Sequence, residues 1–304
     1  MSARRSTGDP KTAVANLQDL LADRLRVLGP DCRDTFATAH QLAHWRGVVG
    51  DAAGAVNALG DLVEDRERVL GEDDPEALST RYDLGVWQVA AGYKLAAIDT
   101  FRDLLPDLER LHGARHRDTL RTRCQLLCAE GRISEPERCG EIAQELLEVL
   151  QQQWHELWDG HHDTLTTRRE MAVMLGRSGQ AAQAETSLRH LLDELLPSFG
   201  ADHRAVLPIR DELAHWMGVA GDPAGAATAF AQLLPDRVRV LGADHPVTLR
   251  TRHQLAHWQA LAGEIPEAVA AFEQLLADRL RLLGRNHEDV GRTREELEHW
   301  RAQG

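Results

Sequence analysis

The chain has 304 residues, of which 27% are charged and 5% aromatic, with a formal net charge of −13. So acidic a balance lacks the basic footprint that a phosphate backbone requires, which argues against a nucleic-acid partner. No stretch approaches the ~18 uninterrupted apolar residues of a membrane span, and Cys32, Cys124, Cys128 and Cys139 have no disulfide-framework spacing. The expectation is a cytoplasmic protein.

Residues 1–12 are polar and rich in Ser, Thr, Gly and Pro; they are expected to be disordered and to carry no signal peptide. A helix follows from about Ala13 to Leu28, with Leu17, Leu20 and Leu21 at helical spacing and Gly29 as its stop. From there the chain repeats with a period of 42 residues. Gly29, Gly71, Gly113, Gly200, Gly242 and Gly284 close the second helix of each repeat. Gly50, Gly92, Gly179, Gly221 and Gly263 separate the two helices within it. Each repeat therefore reads as helix A, a glycine turn and a longer helix B, a pattern of stacked hairpins. Asp or His ahead of Pro75 and Pro246 supplies an N-cap and a first helical residue for helix A.

The core positions recur in phase. Helix A carries Leu42, Leu84, Leu126, Met171, Leu213, Leu255 and Leu297, followed in most repeats by a small residue such as Ala43, Gly85 or Ala256. Helix B carries Ala55, Ala97, Cys139, Ala184, Ala226 and Ala268, with Leu59, Phe101, Ala143, Leu188, Phe230 and Phe272 one turn on. Glu298 replaces the small residue in the last helix A, as on the outer face of a capping element. The third repeat is three residues longer, near Trp154 and Trp158. Three residues make nearly one helical turn, so a longer helix B is expected there; a projecting aromatic contact is the second reading.

The Leu-Ala pair of helix A, the glycine turn and the Ala-x-x-x-Phe-x-x-Leu of helix B resemble a tetratricopeptide repeat. The 42-residue length resembles the kinesin-light-chain variety found in many bacterial proteins. The resemblance implies an all-α, right-handed α-α superhelix of about six hairpins plus a half unit at each end, with about fourteen helices and no strands. It implies one solenoid domain over 13–304, with units near 13–29, 30–71, 72–113, 114–160, 161–200, 201–242, 243–284 and 285–304. It also implies a non-enzymatic interaction module in which helices A line a concave groove that holds a peptide or partner protein. No phosphate-binding loop or cofactor motif is present.

Carried onto this chain, the family's groove positions are His40 and His44, Tyr82 and Val86, Cys124 and Cys128, Arg169, Asp211 and His215, His253 and His257, and Glu295 and His299, flanked by Arg121 and Arg250. As groove residues they are expected to be exposed. The slot where the family usually places a backbone-holding Asn reads Gln41, Asp83, Gln125, Glu170, Glu212, Gln254 and Glu296. Two repeats read His-Gln-Leu-Ala-His, and histidines at i and i+4 share one helical face. That spacing gives a second reading: a metal or small-ligand groove, with catalysis as an option, around His215, His253 and His257 with Asp211, Glu295 and His299. Trp45, Trp87, Trp216, Trp258 and Trp300 follow the same period and are expected to pack between repeats. Asp65, Asp107, Glu194, Asp236 and Asp278 stand at one fixed separation ahead of Arg81, Arg123, Arg210, Arg252 and Arg294 in turn, which suggests an ion pair across each repeat boundary.

Overall fold

The computed structural model describes residues 10–156 and 162–303, without the side chains of 154–156. Among these residues there are fourteen helices and no strand. By internal contacts the chain divides into two compact units, residues 1–134 with 148–157 and residues 135–147 with 158–304. The first holds α1 (Pro10–Leu28), the hairpin α2 (Arg33–Val48) and α3 (Ala52–Leu70), the hairpin α4 (Pro75–Ala90) and α5 (Lys94–His112), and α6 (Arg117–Gly131). The second holds α8 (His162–Arg177) with α9 (Ala181–Phe199), α10 (Val206–Val219) with α11 (Pro223–Leu241), α12 (Pro246–Leu261) with α13 (Ile265–Leu283), and α14 (Glu288–Arg301). Helix α7 (Pro136–Glu156) contributes residues to both. Pro10 to Thr12 are already helical, inside the segment expected to lack order; residues 1–9 lie outside the described residues. Helix α7 has 21 residues against 19 in α5 and α9, so the longer repeat lengthens helix B as expected. The side chain of Trp154 and the whole of Trp158 lie outside the described residues.

Local chemistry sets the ends. The backbone at Gly242 turns to φ 95°, where a side chain would be strained, while its N–H bonds to the Val238 carbonyl. Asp74 and Asp222 cap the helices that follow them, and His116, His245 and His287 do the same through Nδ1. Within a hairpin, Ala and Phe or Leu of helix B are fully buried: Ala268 and Phe272, Ala226 and Phe230, Ala97 and Phe101. Each large side chain so buried contributes ~1.5–3 kcal/mol relative to exposure. Gly85 is small because the Phe101 ring lies 2.6 Å from where its Cβ would be. Glu298, at the equivalent place in α14, is exposed.

Between hairpins the tryptophans decide the spacing. Trp87 lies on Gly47, Trp216 on Gly176 and Trp258 on Gly218, where a Cβ would meet each indole at 2.3 to 2.6 Å. Each contact joins one helix A to the next. Helix pairs α4–α6, α8–α10, α10–α12 and α12–α14 are in contact, and the successive helices B α1–α3, α3–α5, α9–α11 and α11–α13 do not come as close. Within each compact unit the helices A therefore form the inner face.

The acid–arginine series does pair, but inside the hairpin. Arg81 meets Asp107 at 2.8 Å, Arg168 meets Glu194 at 2.7 Å, Arg210 meets Asp236 at 2.6 Å and Arg252 meets Asp278 at 2.7 Å. The partner precedes the acid, on the helix A of the same hairpin; it does not follow on the next helix A as expected. The two separations sum to the period, so a periodic sequence cannot distinguish them. The antiparallel hairpin brings the later half of helix B beside the earlier half of its own helix A. A second arginine extends the chain of charges: Asp278 also meets Arg281, which meets Asp244 ahead of α12.

The boundary is crossed instead by arginines one residue beyond those acids, Arg66 and Arg279 buried and Arg24 half-buried, and by Arg123, which meets Glu109 of α5 at 2.6 Å. Arg66 donates from Nη1 to the Glu76 carbonyl at 3.0 Å and to Thr80 Oγ1 at 2.6 Å. Arg24 bonds likewise to the Asp34 carbonyl and Thr38, and Arg279 to the Asp289 carbonyl and Thr293. Arg237 turns back into its own hairpin, toward the Leu207 carbonyl and Asp211.

A double-mutant cycle checks the pairing. Asp278→Ala with Arg252→Met should show a coupling of ~0.5–1 kcal/mol, as expected for a half-exposed pair, whereas Asp278→Ala with Arg294→Met should be additive. Coupling to Arg294 instead would restore the boundary pairing.

Candidate inter-helix groove

Open or half-open cavities lie at three of the helix-A boundaries, two in the first compact unit and one in the second. The one between α2 and α4 encloses about 480 Å³, lined among others by His40, Gln41, His44, Trp45, Arg66 and Ser79. Between α4 and α6 a tighter cavity of about 90 Å³ is lined by Leu78, Ser79, Tyr82, Leu108, Arg121 and Thr122, with Pro75, His112 and Asp118 at its edge. In the second compact unit one of about 100 Å³ lies between α8 and α10, lined by His162, Leu165, Thr166, Arg169, Arg204, Ala205, Pro208 and Ile209. The second and third occupy equivalent repeat positions.

The predicted groove residues divide by depth. His44, Arg250, Glu295 and His299 are exposed, and Val86, Arg121, Arg169, Asp211, His215 and His257 are half-buried. Tyr82, Cys124, Cys128 and His253 are buried, against the expectation of exposure. For Tyr82 and His253, the first residues of their pairs, the reason is geometric: each ring points onto the Phe of its own helix B, Phe101 and Phe272. His253 sits edge-on to Phe272 at 5.3 Å between ring centres, with Arg279 Nη1 at 3.5 Å from Nδ1. Cys124 and Cys128 face each other, sulfur to sulfur, at 3.9 Å inside α6. Tyr82 is sandwiched between Phe101 and the Arg121 guanidinium, which lies 4.1 Å above its ring.

In two of the pairs the second member rests on the next tryptophan: His44 on Trp87 at 5.8 Å and His215 on Trp258 at 5.9 Å. Several groove acids are held by the chain itself. Arg66 donates to His40 Nδ1 at 3.2 Å, which leaves Nε2–H to donate to Asp83 at 2.7 Å. Glu296 takes the Trp300 indole N–H at 2.8 Å and lies 3.3 Å from His257. Asp211 lies 3.2 Å from Arg237 and 3.7 Å from Arg250. Glu170 pairs with Arg169. These pairings occupy the slot that the family would use to hold a backbone.

Burial dominates the titration of the inner face. Desolvation pushes Glu212 up to about 7, with the like charges of Glu170 and Asp211 adding to it and Arg169 and Arg250 opposing it. Desolvation, reinforced by the Arg279 charge, pushes His253 down to about 4. His215 is lowered for the same first reason. Among the described residues no group of three or more His, Cys, Asp or Glu is placed to hold a metal ion, so His215, His253 and His257 are not brought together as ligands.

A family model described as tetratricopeptide repeat matches residues 209–281, the stretch from α10 into α13. That stretch is tetratricopeptide repeat, and the fold of the described residues is that of a tetratricopeptide-like solenoid. A putative kinesin light chain of Podosopora anserina with nearly identical TPR-like repeats is 21% identical over 68% of this chain and 96% of that one, with a TM-score of 0.51. A Rap protein complexed with competence and sporulation factor is 12% identical over 95% of this chain and 88% of that one, with a TM-score of 0.59. PlcR of Bacillus thuringiensis, in complex with the peptide PapR7 and DNA, is 11% identical over 96% and 98%, with a TM-score of 0.56. At these identities the likeness is one of fold. No curated protein sequence matches the chain.

The tetratricopeptide inner face is readable in the sequence as a face; its buried arginines are far less conspicuous. Their signal is phase alone: Arg24, Arg66, Arg237 and Arg279 stand at one fixed separation ahead of Thr38, Thr80, Thr251 and Thr293 in turn.

Stability should follow these titrations. Glu212 binds its proton more tightly folded than unfolded, so it disfavours the fold increasingly as pH rises from its unfolded value of ~4.3 to about 7. Glu212→Gln should therefore raise Tm at pH 8 and leave it nearly unchanged at pH 4.5. His253 has the opposite sign of pH dependence: its contribution is intact above ~6.5 and falls as pH drops toward 4. A Tm difference for Glu212→Gln that is flat with pH would contradict this assignment.

Proposed function

We propose that the chain is a protein-interaction module whose inner helix-A face receives an extended peptide or a segment of a partner protein. The observation that carries this reading is the recurrence of solvent-reachable cavities between successive helices A, at α2–α4, α4–α6 and α8–α10, the last two at equivalent repeat positions. A periodic set of clefts suits a ligand that is itself a chain. Two proteins of similar fold are described in complexes, one with competence and sporulation factor and one with a peptide and DNA. The net charge of −13 favours protein over nucleic acid as partner here. In the second compact unit, Arg250, His257, Arg169 and Arg204 suit acidic and apolar side chains. The four cysteines have no disulfide-framework spacing, which suits a reducing, cytoplasmic setting. No helix among the described residues is long and apolar enough to cross a membrane.

The solvent-reachable members of the face make a clean test. A photo-crosslinker placed at Gln254 on α12 should capture a discrete partner in the native cell, and one at Gln274, exposed on α13, should not. Against the partner so identified, Arg250→Ala with His257→Ala should weaken affinity by about tenfold or more while Tm moves little. Undiminished affinity, with capture only from Gln274, would move the interaction to the outer face.

A further inference from the structure

The buried arginines have a gap that the array fills in one place and leaves open in another. At the phase of Arg24, Arg66, Arg237 and Arg279, helices α5 and α9 carry Leu108 and Leu195, and the longer α7 carries Leu150 counted forward from α5 or Gln153 counted back from α9. At α9 the change is compensated: the following helix A has Ile209 where others have Thr, so Leu faces an apolar partner. At α5 it is not. Thr122 is retained on α6, wholly buried, and its Oγ1 has no hydrogen-bond partner. In the sister helices that hydroxyl is both donor and acceptor: Thr80 Oγ1 donates to the Glu76 carbonyl and accepts from Arg66, and Thr293 Oγ1 donates to the Asp289 carbonyl and accepts from Arg279. The cavity of about 90 Å³ between α4, α5 and α6 has Thr122 and Leu108 in its wall.

We propose that this cavity is a receptor for a guanidinium group, the tip of an arginine side chain carried by the segment that the groove receives. The assignment rests on the groove reading for the source of the arginine, but the chain itself supplies the template. Arg66 shows what the site accepts: a planar cation whose N–H groups reach a first-turn carbonyl and the Thr hydroxyl of the next helix A, with a carboxylate close by, Glu76 Oε2 at 3.4 Å. The equivalents here are the Asp118 carbonyl, Thr122 Oγ1 and the Asp118 carboxylate. A buried hydroxyl left without a partner costs ~1–3 kcal/mol, so an incoming donor relieves a deficit already present in the unliganded fold. The mouth is open, since Pro75, Ser79, His112 and Asp118 are exposed. Arg121 also lines it, yet this does not bar a second guanidinium: Arg292 holds the same repeat position beside Arg279.

The test uses the full chain and small probes, so that it is independent of the partner. Methyl NMR should show saturable shifts at Thr122 and Leu108 on adding N-acetyl-arginine amide. N-acetyl-citrulline amide, the neutral isostere, should bind at least ~10-fold more weakly, since charge-assisted hydrogen bonds are about twice as strong as neutral ones. Leu108→Arg should fill the site from within, abolish the shift and raise Tm. Should that variant lose helicity, the near-isosteric Thr122→Val decides, by weakening the arginine probe without displacing the tryptophan signals of the inner face. Shifts absent from Thr122, citrulline binding as well as arginine, or unaltered binding to Thr122→Val would overturn the proposal. If a partner stripped of its arginines binds undiminished while Arg250→Ala with His257→Ala still weakens it, this site falls and the groove reading stands.

Discussion

Everything on the inner face depends on how closely one helix A approaches the next, and that distance is set by an indole lying on a glycine. Trp258 occupies the space where a Gly218 side chain would be, with its Cζ3 only 2.4 Å from an added Cβ. The same fit recurs at Gly47 with Trp87 and Gly176 with Trp216. Interiors at crystal-like density cannot absorb an atom at that range. Where the indole is lost the pair reverses: the equivalent positions on α4 and α6 read Val89 and Ala129. Bulk is conserved across the contact while its source changes sides. Trp300 meets Ala260 in the last such contact, within one core cluster.

A second tie, polar and buried, runs from helix B to the start of the next helix A. Arg66 and Arg279 are almost wholly buried and still carry several hydrogen bonds. Burying a guanidinium is costly, and in both arginines the Nη1 bonds offset that cost while the buried Nε has no hydrogen-bond partner. The two ties act on different parts of the same boundary, the indole near the end of helix A and the guanidinium near its start. Between them lie the clefts. Replacement of arginine by Leu108 beside a retained Thr122 makes one cleft chemically incomplete, and this distinguishes it from the apolar Leu195–Ile209 boundary. The fold thus turns an irregularity of the repeat into a difference between clefts.

Much of this architecture was legible from phase alone. The glycine series located the turns, including Gly242 and Gly263 with their positive φ, and the tryptophan series located the contacts between repeats. Phase could not say which neighbour a side chain meets. Asp278 follows Arg252 within one hairpin and precedes Arg294 across one boundary; the two separations add up to one period, so a strict repeat treats them as the same statement. Depth was hidden for a similar reason. His253 and His257 sit one helical turn apart on one face, but only His253 points toward Phe272 and Arg279, because the next helix A covers that side of the turn. The unsatisfied Thr122 was invisible until its sister residues showed what the hydroxyl ordinarily binds.

The central claim, that size is exchanged across the helix-A contact, is tested most directly at Gly218 and Trp258 by denaturation of four proteins: the parent chain, Gly218→Val, Trp258→Ala and the double variant. Overpacking at Gly218 alone should cost ~1–3 kcal/mol or more, and the cavity left by Trp258→Ala ~3–5 kcal/mol. In the double variant, which copies Val89 and Ala129, the loss should fall short of the sum by at least ~1 kcal/mol. Strict additivity of the two losses would contradict the account and show that the approach of successive helices A is set elsewhere.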